Sequence, residues 1–232
     1  MLYIEHIKIN NIATEPNGKY YVSVLYELPT LNNNHVLPQN IVRLDLGIKK
    51  LITLLDDITF DNNKYILKYE KRIKRLQRSL SRKVKKSKNY YKSKHKLAIL
   101  YSKLKNARNY YLHKITKEIT DNNDIIVTEK LQTKNMLQNK KLSKSITDAS
   151  FCKIIRQLQY KSKNKGKYFY QIDTFYPSSQ TCSICGNIDG KYKNLTIRDY
   201  DCCNCKNTLD RDLNASINIM FEGLKLHMRN VV

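Results

Sequence analysis

The stretch "IVRLDLGIKKLITLLDD", residues 41–57, decides how the chain is read. Ile41 to Leu46 is an apolar strand, Gly47 marks a turn, and a second apolar strand follows, so the segment predicts a hairpin. One carboxylate, Asp45, sits inside the apolar run. An acid at a strand–turn junction is commonly a turn former. An unpaired buried carboxylate is costly, however, and several converging ones need a cation.

Outward from the hairpin, residues 1–27 read as strands. "GKYYVSVLYEL" alternates Tyr20, Val22, Val24 and Tyr26 against Tyr21, Ser23 and Leu25 after a Pro-Asn-Gly turn. Residues 31–40 read as a loop. Residues 64–120 predict two long helices, because Ile66, Tyr69, Ile73, Leu76 and Leu80, and later Leu97, Leu100 or Tyr101, Leu104, Tyr111, Ile115 and Ile119, recur at helical spacing. "KKSKNYYKSKH" separates the two. "NDIIVTEKL" is a short apolar strand ending at Glu129, and "QTKNMLQNKKLSKS" a basic loop. "ITDASFCKIIRQLQYKSKNKG" predicts one helix, capped by Thr147 or Ser145 and ended by Gly166. "KYFYQIDTFY" is a strand, and a last helix covers roughly 212–227, with Asp212 at its start. No internal repeat is visible.

The chain has 232 residues and 43 Lys plus Arg against 20 Asp plus Glu, a formal charge of +23. So large a charge favours a polyanionic partner, and nucleic acid fits best because phosphate neutralisation releases counterions. No apolar run of membrane length and no signal peptide are read, so no membrane partner and an intracellular, DNA-associated location are expected. Lys71 to Lys114 contains no acidic residue. A merely solvated helix mixes acids among its lysines, so this pair predicts a phosphate-facing surface. Tyr90, Tyr91, Tyr110 and Tyr111, set among lysines, are weaker candidates for base stacking.

Cys182 and Cys185 form one Cys-x2-Cys knuckle, Cys202 and Cys205 another. Two such knuckles present four thiolates to one Zn2+ in a closed, structural site that performs no chemistry. Cys203 and Cys152 are read as bystanders, because only Cys202 keeps the two-residue gap before Cys205. Directly after the second knuckle come Asp210 and Asp212. With Asp45 and Glu129, an acid in this region makes a set of three, and two Mg2+ ions bridged by carboxylates are a usual solution for phosphodiester hydrolysis.

"LDLGIKKLITL", "IIVTEKL", "FYPSSQTCSICG" and "DRDLNASINI", in that order, resemble the RuvC-like nuclease and zinc-ribbon half of TnpB, the transposon-encoded family related to type V CRISPR effectors. The basic helical pair, "LSKSITDASF" and "LTIRDYDC" fit the same family, and the resemblance runs over roughly residues 10–222. It implies an α/β fold: an RNase H-like (RuvC) mixed sheet with flanking helices, a long basic helical pair and an inserted zinc ribbon. It implies domains at 1–38 (the tail of an N-terminal β region), 39–177 (nuclease core with a basic insertion at 64–120), 178–209 (zinc ribbon) and 210–232 (last helix of the core). Asp45, Glu129 and Asp212 match the three catalytic acids, with Asp210 a lesser candidate for the third, and Mg2+ or Mn2+ is the implied catalytic cofactor. Nucleic-acid contacts are expected at Lys71, Arg72, Arg75, Arg78, Arg82, Lys85 and Lys86, and at Arg198 and Arg211. DNA, cut under a guide RNA, is the implied substrate. Relatives carry a longer N-terminal region that grips the guide, so an N-terminally truncated member is expected. A nucleic-acid-binding remnant without cleavage is the alternative reading.

Overall fold

The computed structural model describes residues 7–26, 38–54, 58–194 and 196–231. The expected strand start at 1–6, most of the loop at 31–40 and the end of the hairpin at 55–57 lie outside the described residues. Two compact units form: Met1–Asn32 with Lys64–His113, and Asn33–Asn63 with Lys114–Val232.

In the first unit, β1 (Ile7–Thr14) pairs antiparallel with β2 (Tyr20–Tyr26). Their turn is closed by the Gly18 N–H donating to the Glu15 carbonyl at 2.9 Å, with Gly18 at φ +81, where a glycine is unstrained. The alternation in β2 suggests one buried face, yet Tyr20, Tyr21, Val22, Val24 and Leu25 are all exposed. Helices α1 (Tyr65–Ser81) and α2 (Lys88–Asn122) meet through Ile73, Leu100 and Leu104, as the three-and-four stepping predicts. The break is shorter than expected: α2 already begins within "KKSKNYYKSKH", because the Ser87 hydroxyl accepts the Tyr90 N–H at 3.1 Å and caps the helix.

The second unit is built on a five-stranded mixed sheet in the order β5 (Thr59–Asp61), β4 (Lys50–Leu54), β3 (Ile41–Leu46), β6 (Ile125–Glu129), β7 (Tyr168–Ile172). The pairs β3/β4 and β4/β5 are antiparallel; β3/β6 and β6/β7 are parallel. This order and sense are those of an RNase H-like sheet. At Gly47 a Cβ would lie 2.7 Å from the Lys50 carbonyl oxygen, so the expected turn needs a glycine.

The long helix α6 (Arg211–Val231) packs on β3, β6 and β7. Its Ile219 joins Ile125, Val127 and Ile172 in one core cluster. At Gly223 a Cβ would sit 2.4 Å from Val127 Cγ2, so helix and strand approach through that glycine. The residues between, Val42, Leu44, Ile126 and Thr128, are buried on the opposite face.

Between β6 and β7 lie α3 (Thr133–Gln138), α4 (Ser143–Ala149) and α5 (Phe151–Asn164). Two expectations change here. The basic loop contains the short α3, and the single helix is two, broken at Ser150, whose φ of 55 is left-handed. The Ser150 hydroxyl donates to the Thr147 carbonyl at 3.1 Å, a local bond that competes with helix continuation. On α2, the buried Thr116 donates to Gln157 of α5 at 3.0 Å.

Candidate nuclease site and four-cysteine ribbon

Leu44 and Thr128 are partners in the parallel β3/β6 register, so the following residues, Asp45 and Glu129, stand at the carboxyl ends of neighbouring strands. Side chains alternate along a strand. Two residues back, Arg43 donates to Ser216 of α6 at 2.7 Å, and Val127 packs under Gly223. Both carboxylates therefore belong to the face that α6 covers, and Asp212 lies in the first turn of that helix. Topology brings all three acids to one corner of the sheet.

They do not close into a cluster. Among the described residues, the only group of three or more metal-capable side chains with ligand atoms within 4.8 Å of one another is the four cysteines. Like charges repel, and each acid has a separate partner. The Arg43 guanidinium is 3.9 Å from Asp45, Ser178 donates to Glu129 Oε1 at 3.3 Å, and Arg198 is 3.6 Å from Asp212. Asp210 serves the helix instead. Its Oδ1 accepts the N–H groups of Asp212 and Leu213, both at 2.9 Å, so it is the N-cap of α6. The donor set at this corner is hard oxygen, which suits Mg2+ or Mn2+.

The ribbon carries the opposite chemistry. Cys182 Sγ lies 3.6 Å from Cys205 Sγ, and Cys185 Sγ 3.5 Å from Cys202 Sγ. That is far beyond a disulfide bond, and near the roughly 3.8 Å edge of a tetrahedron with metal–sulfur bonds of about 2.3 Å. The two knuckles repeat one design. The N–H of Cys182 donates to the Asn187 carbonyl at 2.8 Å, and that of Cys202 to the Asn207 carbonyl at 2.9 Å. Gly186 and Lys206, each just after the second cysteine of its knuckle, have positive φ and donate back to Cys182 and Cys202, both at 3.0 Å. The Asn187 amide, then Asn204, draw the Cys185 thiol down to about 6. Against the pull of the Asn207 amide, burial and the neighbouring thiols push Cys205 up to about 12. Beneath the knuckles Tyr192 and Tyr200 stack at 4.1 Å, both buried with Cys182 and Cys202. Cys203 and Cys152 are exposed and outside the cluster.

The basic side chains divide. On α1 and at its C-cap, Lys71, Lys74, Arg75, Arg78 and Arg82 recur at three and four and line a concavity of about 700 Å3. Lys71, Arg72, Arg75, Arg78, Arg82, Lys85 and Lys86 are all exposed, as a phosphate-facing surface requires. Arg198 is exposed too. Arg211 is not: it is 6% exposed, and its guanidinium donates to the carbonyls of Asn194 at 2.8 Å and Ile197 at 3.0 Å. The expected nucleic-acid contact at Arg211 is therefore corrected to a clamp between ribbon and α6. Of the tyrosines, Tyr91 and Tyr110 are exposed, whereas Tyr111 packs edge-on against Tyr65. Arg43, Ser178, Asn214 and Asn218, which touch the acids or the ribbon base, escape a sequence reading because their partners are remote in the chain. For Arg43, Asn214 and Asn218 the one sequence signal is a polar residue inside a strand or helix, whereas Ser178 lies in a turn and carries none.

An RNase H-like sheet with three acids at one corner and a four-cysteine insertion before its last helix defines the class. Residues 22–140 match the family described as a probable transposase of the OrfB_IS605 type, and residues 151–219 match the Cas12f1-like TNB domain. The chain belongs to this TnpB family. It is 33% identical over 213 residues to a Streptomyces pristinaespiralis protein named "Putative RNA-guided DNA endonuclease", spanning 92% of this chain and 52% of that protein. It is likewise 33% identical over 229 residues to the Escherichia coli K12 protein "Putative RNA-guided DNA endonuclease InsQ", spanning 92% of this chain and 56% of the relative. The chain thus spans about half the length of the curated relatives it matches. A solved Cas12f1–sgRNA–target DNA complex is similar at 16% identity and a TM-score of 0.46, over 87% of this chain and 53% of that one. Among the described residues, no helix is long and apolar enough to cross a membrane.

Proposed function

We propose that this chain is the nuclease part of a TnpB-type endonuclease that hydrolyses DNA phosphodiester bonds at Asp45, Glu129 and Asp212. The observation that supports the reading is the strand register, which puts Asp45 and Glu129 at the carboxyl ends of the neighbouring strands β3 and β6, on the face covered by the helix whose first turn carries Asp212. Two Mg2+ or Mn2+ ions held there would supply an activated water and stabilise the leaving oxygen. Asp45 and Glu129, on rigid neighbouring strands, fix two carboxylates; Asp212, on the capped first turn of α6, adds the third. Arg43 links the strand of Asp45 to α6 and lends a positive charge beside that carboxylate.

The four thiolates hold Zn2+, a borderline-soft ion with no coordination position left open, so it organises the ribbon and takes no part in hydrolysis. The α1 surface binds the phosphate backbone of DNA or of a guide RNA, in keeping with the names of the relatives. A second reading, nucleic-acid binding without cleavage, is favoured by the separation of the acids. The test is cleavage of labelled DNA by the full chain with its co-purified RNA and Mg2+ or Mn2+, beside Glu129→Ala. Cleavage lost in the variant supports the nuclease reading. A folded, zinc-loaded chain that binds DNA and cuts nothing supports the second.

A further inference from the structure

Two buried amides on α6 hold the base of the ribbon. Asn214, with no exposed surface, accepts the Ser183 N–H at 2.9 Å and donates to the Thr181 carbonyl at 2.7 Å. One turn later Asn218, 4% exposed, donates to the carbonyls of Ser178 at 2.8 Å and Thr181 at 2.6 Å. Cys182 lies between Thr181 and Ser183, so the asparagines grip the chain on both sides of a knuckle cysteine. The same segment begins at Ser178, whose hydroxyl donates to Glu129 Oε1. One run of chain is thus tied at one end to a thiolate of the ribbon and at the other to an acid of the sheet. A buried amide that loses its carbonyl partner is costly, and linked hydrogen bonds reinforce one another. A shift at Cys182 would strain the bonds at Thr181 and Ser183, and Asn218 shares its amide between Thr181 and Ser178.

We propose that Asn214 and Asn218 are positioning residues that couple the four-cysteine site to the orientation of the Glu129 carboxylate, with Ser178 as the last link. The inference rests on the reading of Asp45, Glu129 and Asp212 as a divalent-cation site. Its consequence is that cation affinity at the sheet corner depends on whether the ribbon holds its metal.

Mn2+ binding to the full chain, followed by electron paramagnetic resonance with the ribbon zinc-loaded and zinc-stripped, tests this without relying on activity. In the wild type, zinc removal weakens Mn2+ binding about tenfold, the usual scale for losing an outer-shell partner of a metal ligand. Ser178→Ala binds Mn2+ weakly from the start and no longer responds to zinc, while Ser178→Thr, which keeps the hydroxyl, restores the response. Asn218→Asp, of equal size but without donors, retains zinc and loses the response; should it fail to fold, the Ser178 pair decides alone. Wild-type Mn2+ affinity that ignores zinc, or a full zinc response in Ser178→Ala, overturns the coupling. No Mn2+ binding, or binding unchanged by Asp45→Ala and Asp212→Ala, overturns the underlying reading and the coupling with it.

Discussion

The ribbon and the sheet corner assemble their sites in opposite ways. The ribbon draws four ligands from two knuckles that close on themselves through short-range hydrogen bonds, and its sulfurs already stand at metal-binding distances. The corner draws three acids from two strands and a helix far apart in sequence, and they share one face only because β3, β6 and α6 pack together. A site closed by local spacing tolerates change elsewhere. A site closed by topology depends on every element that sets the register.

The largest effect is expected where that dependence ends in chemistry. Asp45→Ala and Glu129→Ala each reduce metal-dependent DNA cleavage to background while leaving the circular dichroism spectrum and zinc content unchanged. Loss of zinc in either variant would break the contrast between the two sites. Next comes the ribbon itself: Cys202→Ser releases the metal and unfolds the ribbon, since binding energy at such sites is folding energy, whereas Cys203→Ser keeps one zinc per chain by atomic absorption. A smaller loss follows Gly223→Ala, whose Cβ would drive into Val127. Overpacking there costs about 1–3 kcal/mol in denaturant unfolding, and cleavage falls with it because α6 carries Asp212. The smallest effect is pH-dependent. Burial keeps the His227 imidazole below its ordinary value, so its neutral form is favoured in the folded state. Its stabilising share is whole above the unfolded pKa and lost as pH falls through the folded one. Thermal melts should show His227→Gln less destabilised than the wild type as the pH is lowered through the histidine range.

The same contrast explains what was legible in the sequence. The Cys-x2-Cys pairs, the hairpin around Gly47 and the strand ending at Glu129 are written in neighbouring residues, and the structure contains each of them. The basic stepping of α1 was equally local, and its side chains are exposed. What was not legible depended on distant partners. Arg211 reads as one more basic residue until the Asn194 and Ile197 carbonyls are seen to take up its guanidinium. Asp210 competes with Asp212 in the sequence, and only the helix start assigns it to capping. The break at Ser150 carries no proline or glycine to announce it.

The distinction between Asp210 and Asp212 also gives the most direct test of the central claim. Mn2+-dependent cleavage of labelled DNA should be compared in Asp212→Ala and Asp210→Ala, with stability measured alongside. The account predicts that Asp212→Ala abolishes cleavage at near wild-type stability, while Asp210→Ala costs about 1 kcal/mol as a lost helix cap and still cuts. Cleavage that survives in Asp212→Ala and disappears in a folded Asp210→Ala would contradict it.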